Sequence, residues 1–144
     1  MESISVKDYM NPRPVTFGPE MGIEQAINRL LESGLTGGPV VDAQGKLVGF
    51  LSEQDCLAQG LSASYHCEQM AQVSELMRPE VLTVRPDTSI IELAQQMTQQ
   101  KPKIYPVIDD GGRLIGTITR RDVLRAIQAN LRSCFVHGKA NQPR

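Results

Sequence analysis

"GTITRRD", residues 116–122, lies where an alternating apolar strand runs into a helical pattern, and "GFLSEQD", residues 49–55, does the same 67 positions earlier. Each reads Gly, two apolar or small positions, a hydroxyl residue, two variable positions and Asp. A hydroxyl residue followed three positions on by an acid is close to a helix-capping box. A helix N-terminus also presents free N–H groups and partial positive charge, the environment a phosphate seeks. Cap and ligand site are therefore both open readings of the two stretches, and they are compatible.

The doubling extends well beyond these seven residues. Offset by 67, residues 6–60 align with 73–127 without a gap. Identities include Val6/Val73, Met10/Met77, Pro12/Pro79, Ile23/Ile90, Pro39/Pro106, Val40/Val107, Gly45/Gly112, Gly49/Gly116 and Asp55/Asp122. Such a repeat implies two copies of one supersecondary unit, each unable to bury its hydrophobic face alone.

Each copy reads alike. "VKDYM" and "VSELM" form short helical leads that end before a Pro. "PVTF" and "VLTV" read as short β segments. Ile23, Ala26, Ile27, Leu30 and Leu31 recur at helical spacing; Ile90, Leu93, Ala94 and Met97 repeat the stripe behind a Ser89/Glu92 capping box. "GPVVD" and "YPVID" are short strands that turn through "AQG" and "DGG" into "KLVGFLS" and "RLIGTIT". A last helix follows each hydroxyl residue, giving β-α-β-β-α per copy. This divides the chain into repeat 1 (1–60), a connector (61–72), repeat 2 (73–131) and a tail without periodicity (132–144).

Bulk properties narrow the function. Composition is 40% apolar and 22% charged, with a net charge of −1, so no overall basic field recruits nucleic acid. No stretch nears the roughly 18 apolar residues of a membrane span. Three cysteines and a start without an apolar signal core point to reduced thiols in the cytoplasm. Cys56, His66, Cys67 and His137 fit no zinc spacing, so no metal site is expected. Two histidines at loop and tail positions assemble no catalytic triad, and the two motif Asp residues belong to separate sites, so an enzyme is not expected.

The repeated β-α-β-β-α unit, with hydrophobic-x-Pro-Val in its middle and Gly-h-h-Ser/Thr-x-x-Asp near its end, resembles the cystathionine-β-synthase (CBS) domain over residues 6–131. The resemblance implies an α+β fold in which two repeats with small sheets and packed helices are related by a pseudo-two-fold axis. It implies a regulatory module that senses an adenosine compound (AMP, ADP, ATP or S-adenosylmethionine, with Mg²⁺ as a companion of ATP) and signals to a partner protein. With no enzyme, channel or DNA-binding domain in view, a stand-alone module is expected. The family also forms homodimers. A ligand-free dimerisation scaffold, associating through Val123, Leu124, Ile127, Leu131 and Leu57, is the alternative.

Carried over by motif, the resemblance sets each Gly-h-h-Ser/Thr-x-x-Asp stretch opposite the first β segment of the other repeat. The hydroxyl approaches a phosphate, and the carboxylate accepts from both ribose hydroxyls, for which two acceptor oxygens suit. Site A then comprises Ile118, Thr119, Arg120, Arg121 and Asp122 against Pro14, Val15, Leu35 and Thr36. Site B comprises Leu51, Ser52 and Asp55 against Val81, Leu82, Pro102 and Lys103. Arg120 and Arg121 occupy a first helical turn, where cations oppose the helix dipole by roughly 0.3–1 kcal/mol each. A bound phosphate would compensate them, which favours site A for a nucleotide; solvated arginines paired with acids across a dimer are the competing reading. Site B offers Glu53 and Gln54 at those positions, with Lys103 as its evident cation. Gly37 and Gly38 either leave room for the base beside site A or serve a tight turn.

Overall fold

The structure, a computed structural model, describes residues 4–66, 71–100 and 102–136. In repeat 1, α1 (Ile23–Ser33) precedes the antiparallel pair β1 (Gly37–Val41) and β2 (Leu47–Ser52), and α2 (Glu53–His66) follows. After the short α3 (Val73–Leu76), repeat 2 supplies α4 (Ile90–Gln99), β3 (Ile104–Ile108), β4 (Leu114–Thr119) and α5 (Arg120–Val136). The fold is α+β, with two two-stranded sheets, each carrying the helices of its repeat.

Sequence pattern accounts for the helices. Ile23, Ala26 and Leu30 of α1 and Ile90 and Leu93 of α4 are buried, as their spacing requires. Ser89 Oγ accepts from Ile91 N at 3.2 Å and from Glu92 N at 3.5 Å, closing the N-terminus of α4. Leu31, in contrast, is 76% exposed although it belongs to the same apolar stripe.

The segments read as first strands are only bridges. Phe17 pairs in parallel with Val40, and Val84 with Val107, each through two backbone bonds of 2.9–3.1 Å. A proline precedes Phe17 by three residues at Pro14, and Pro86 follows Val84 by two, so donors for a longer ladder are scarce.

The hairpin turns meet across the pseudo-two-fold axis. Leu47 N donates to Gly112 O (3.1 Å) and Leu114 N to Gly45 O (3.0 Å), while Lys46 bridges Arg113. These are equivalent positions contacting each other reciprocally, as a two-fold relation requires.

The leading segments are exchanged. Val6 is fully buried in the core of repeat 2, with Ile90, Leu93, Tyr105, Val107 and Ile118. Val73 is fully buried in the core of repeat 1, with Phe17, Ile23, Val40 and Leu51. Backbone bonds fasten the exchange: Val6 N to Thr88 O and Ile90 N to Ile4 O on one side, Val73 N to Met21 O and Ile23 N to Ala71 O on the other. Each buried valine contributes on the order of 1.5–3 kcal/mol. The glycine that opens each motif makes the exchange sterically feasible. A Cβ on Gly116 would stand 2.7 Å from Asn11 O, and one on Gly49 would stand 2.6 Å from Met77 Sδ and 2.9 Å from Arg78 O.

Two boundaries move. Residues 61–66, read as connector, continue α2, and residues 132–136, read as tail, continue α5. Residues 67–70, with Cys67, and 137–144, with His137, lie outside the described residues. Among the described residues no helix is long and apolar enough to cross a membrane, and no group of three His, Cys, Asp or Glu side chains could hold a metal ion.

Candidate functional site

Both motifs cap helices. Thr119 N donates to Asp122 Oδ2 (2.8 Å), Thr119 Oγ1 to the same oxygen (3.0 Å), and Asp122 N to Thr119 Oγ1 (3.2 Å). Ser52 and Asp55 repeat the pattern at 3.3, 2.8 and 3.1 Å. These are reciprocal capping boxes, in which residue three of the helix answers the cap. The boxes engage Oδ2 and leave the second carboxylate oxygen outside.

That second oxygen fares differently in the two repeats. Arg125, one turn along α5, pairs with Asp122 Oδ1. The position equivalent to Arg125 is Ala58, which cannot do the same for Asp55. The Asp122 side chain is 10% exposed and that of Asp55 is 21% exposed.

Each box borders a cleft between the repeats. Cleft A, about 180 Å³, is lined by Pro14, Val15 and Leu35 of repeat 1 and by Thr119 and Asp122 of repeat 2. Cleft B, about 550 Å³, joins Ser52 to Val81, Leu82, Pro102 and Lys103. Ile104 lies between the clefts and lines both. Sites for small ligands span roughly 300–1,000 Å³, so cleft B falls within that range and cleft A below it.

Several expected members sit elsewhere. Leu51 and Ile118 are fully buried in the two cores. Strand side chains alternate faces, so their neighbours Phe50 and Thr117 take the cleft positions. Thr36 lines cleft B, not cleft A. Asp55, bonded to Ser52 and 3.8 Å from Arg78 Nε, does not line the cleft. Arg120 and Arg121 are exposed and neither lines cleft A.

Gly37 lines cleft A and Gly38 does not, and neither serves a turn. Both are buried in β1, outside any turn, and no room is left at either. A Cβ on Gly37 would stand 2.7 Å from Leu51 O, and one on Gly38 2.9 Å from Val15 O.

Sequence reading passed over Arg78, which lines cleft B and gives it a second cation beside Lys103. The signal was present in the repeat itself. Arg78 is equivalent to Asn11, which lines cleft A, and both residues stand between an identical Met and an identical Pro. Each pairs with the other repeat's inner strand: Asn11 with Thr117, Arg78 with Phe50. The exchanged segments thus deliver one polar side chain to each cleft.

Burial raises the pKa of the Cys56 thiol, and Asp55 beside it adds to the rise, so the thiol holds its proton and acts as a core residue. At the turn before β4, Asp109 Oδ1 accepts from Arg113 N and Gly111 N, both at 2.9 Å. The backbone bond from Arg113 is the largest influence and holds the carboxyl below its usual range.

Comparison with known proteins supplies the family. The CBS domain profile matches residues 6–61 and 73–129. The chain is 33% identical to CBSX2 solved in complex with AMP, with a TM-score of 0.77 over 87% of this chain and 96% of that one. CBSX2 is a CBS-pair protein from Arabidopsis thaliana. The CBS domain pair of MJ0100, solved with 5'-methylthioadenosine and S-adenosyl-L-methionine, is 27% identical, with a TM-score of 0.71 over 86% and 99% of the two chains. The A-adding tRNA nucleotidyltransferase of Aquifex aeolicus is 30% identical over 128 residues, 89% of this chain. The chain spans only 15% of that enzyme's length, and 56% of CBSX1 from Arabidopsis thaliana. The twice-matched profile and the crossed, pseudo-symmetric pair of repeats agree: this chain belongs to the CBS-domain family, as a tandem pair.

Proposed function

We propose that the chain binds an adenosine nucleotide or adenosine derivative between its repeats and regulates a partner protein according to occupancy. One observation carries the reading: cleft B combines apolar walls from Val81, Leu82, Pro102 and Ile104 with the hydroxyl of Ser52 and the cations Arg78 and Lys103, which share the lining with Glu53 and Glu80. Apolar walls suit a purine face, and guanidinium and ammonium groups suit phosphate. Asp55, bonded to Ser52, keeps one carboxylate oxygen outside its capping box, and in this reading that oxygen turns to the ribose hydroxyls when a ligand enters, although Asp55 does not itself line the cleft. AMP in CBSX2 and S-adenosylmethionine in the MJ0100 pair support the ligand class.

Cleft B is the primary site in this reading and cleft A the secondary one. Site A, favoured from sequence for its arginines, holds its Asp against Arg125 and leaves Arg120 and Arg121 outside. Binding biases the packing of the two repeats, and a partner reads that bias. Association of two copies belongs to the same reading, because Leu57, Leu61 and Leu124 are 72%, 70% and 62% exposed on the terminal helices.

A thermal-shift series with AMP, ADP, ATP with Mg²⁺, S-adenosylmethionine and a GTP control tests the proposal. A ligand at 100 times its dissociation constant stabilises the fold by about 2.7 kcal/mol, a rise of several degrees. A rise with an adenosine compound that is diminished in Arg78→Ala is the expected result. A flat response to every compound overturns the sensing role and leaves the dimerisation scaffold.

A further inference from the structure

We propose that the side chain of Ile104 is a partition that keeps cleft A closed, so that each chain takes up one adenosine ligand although it carries two clefts. The inference rests on the binding reading above and adds what sets its stoichiometry.

Ile104 is buried without serving a core. It is 9% exposed, yet among the described residues it alone of the buried hydrophobic set belongs to neither core. Strand alternation explains its placing. Tyr105 and Val107 point into the core of repeat 2, so Ile104 stands on the opposite face of β3. There it lines cleft A beside Gly37 and Pro39 of β1, and cleft B beside Phe50 of β2. Among the described residues it is the only one that lines both clefts.

The repeats break their symmetry at this position. The residue equivalent to Ile104 is Gly37, and the residue equivalent to Thr117 is Phe50. In repeat 1 the bulk comes from Phe50, whose ring carbon Cε1 would stand 2.9 Å from a Cβ on Gly37. In repeat 2 it comes from Ile104, beside the small Thr117 on the wall of cleft A. Cleft A otherwise has the groups a nucleoside uses: apolar walls from Val15 and Leu35, and polar atoms from Asn11 and Thr119. No cation lines it and Asp122 does, so it suits a ligand without phosphate. What it lacks is room, at about 180 Å³ against the roughly 300 Å³ at which small-ligand sites begin. A ligand in cleft B packs on the far side of the same side chain and holds Ile104 against cleft A. Truncation at Cβ removes the partition and adds its space to cleft A.

Equilibrium dialysis of the full chain against AMP and adenosine together counts both ligands. The parent binds about one ligand per chain in total, and Ile104→Ala binds about one more, the gain being adenosine. Should Ile104→Ala fail to fold by circular dichroism, Ile104→Val, which removes a single methyl group, takes its place and also binds more adenosine than the parent. A parent that already holds a ligand in each cleft overturns the partition, and so does a variant whose total equals the parent's. A gain of AMP instead of adenosine keeps the partition and overturns the assignment of a phosphate-free ligand to cleft A. Dialysis against adenosine alone separates this inference from the reading beneath it. A parent that takes up no AMP refutes the nucleotide site, whereas a variant that still binds about one adenosine more than the parent upholds the partition.

Discussion

Cleft A and cleft B are assembled from equivalent positions of two repeats, yet their volumes are about 180 and about 550 Å³. The backbone copies faithfully: both hairpins carry an irregular register at the same place, and both motifs close the same capping box. The divergence lies in a few side chains. Asn11 becomes Arg78, Thr117 exchanges with Phe50, and Arg125, which clamps Asp122, is replaced by Ala58 beside Asp55. Pseudo-symmetry therefore fixes where a site stands, while the residues at three or four positions decide whether a charged ligand has room and counter-charge.

The comparison breaks most completely through the exchanged leads. Gly116→Val places a side chain where Asn11 O already stands, and destabilises by about 3 kcal/mol or more, read by urea denaturation. Gly49→Val does the same on the other side, so both repeats lose their shared cores together. A large effect at only one of the two glycines would mean that the leads are not equivalent.

Next come the two aspartates. Asp122→Ala removes a nearly buried capping acceptor together with its pair to Arg125, whose side chain is 60% exposed, at a cost of about 1.5 kcal/mol. Asp55→Ala, at a more open position, costs about 1 kcal/mol. Chemical denaturation of both variants, with matched slopes, checks the order. Equal losses would show that the Arg125 contact contributes nothing.

Ligand affinity sharpens the contrast between the clefts. Arg78→Ala weakens a phosphate-bearing adenosine ligand about tenfold by calorimetry, the value of one charge-assisted contact. Arg120→Ala changes it less than about twofold, because the side chain lies outside cleft A. The reverse order would return the primary site to cleft A.

The smallest effect concerns pH. Asp109 has a folded pKa below its ordinary 3.8, chiefly through the bond from Arg113 N. A depressed carboxyl stabilises the fold above its unfolded pKa, and the contribution fades as pH falls through the lower folded value. In Asp109→Ala, the loss of stability on acidification below about pH 4 is correspondingly shallower than in the parent. Thermal melts between about pH 2.5 and 5 check the sign.

Much of this was legible beforehand, for identifiable reasons. Helix stripes such as Ile23-Ala26-Leu30 obey a local period, and a hydroxyl three residues before an acid needs only its own turn to close. The alternation of strands also implied that Leu51 and Ile118 could not share a face with Ser52 and Thr119, although the motif match placed them together. The exchange of leads was less accessible. The identity of Val6 with Val73 marks both as important, but only long-range packing reveals that each is buried in the other repeat's core.

The resemblance to the CBS domain implied that each motif faces the first β segment of the other repeat, while the sequence by itself determined the repeat, the order of elements and the caps. These follow from local periodicity and from a duplicated pattern that demands a partner for its apolar face. Tertiary structure alone decided which cleft is open, that Arg78 enters it, and that Arg120 and Arg121 stay outside. Cleft volume and the reach of a guanidinium depend on distances between residues far apart in the chain, and no local pattern encodes those distances.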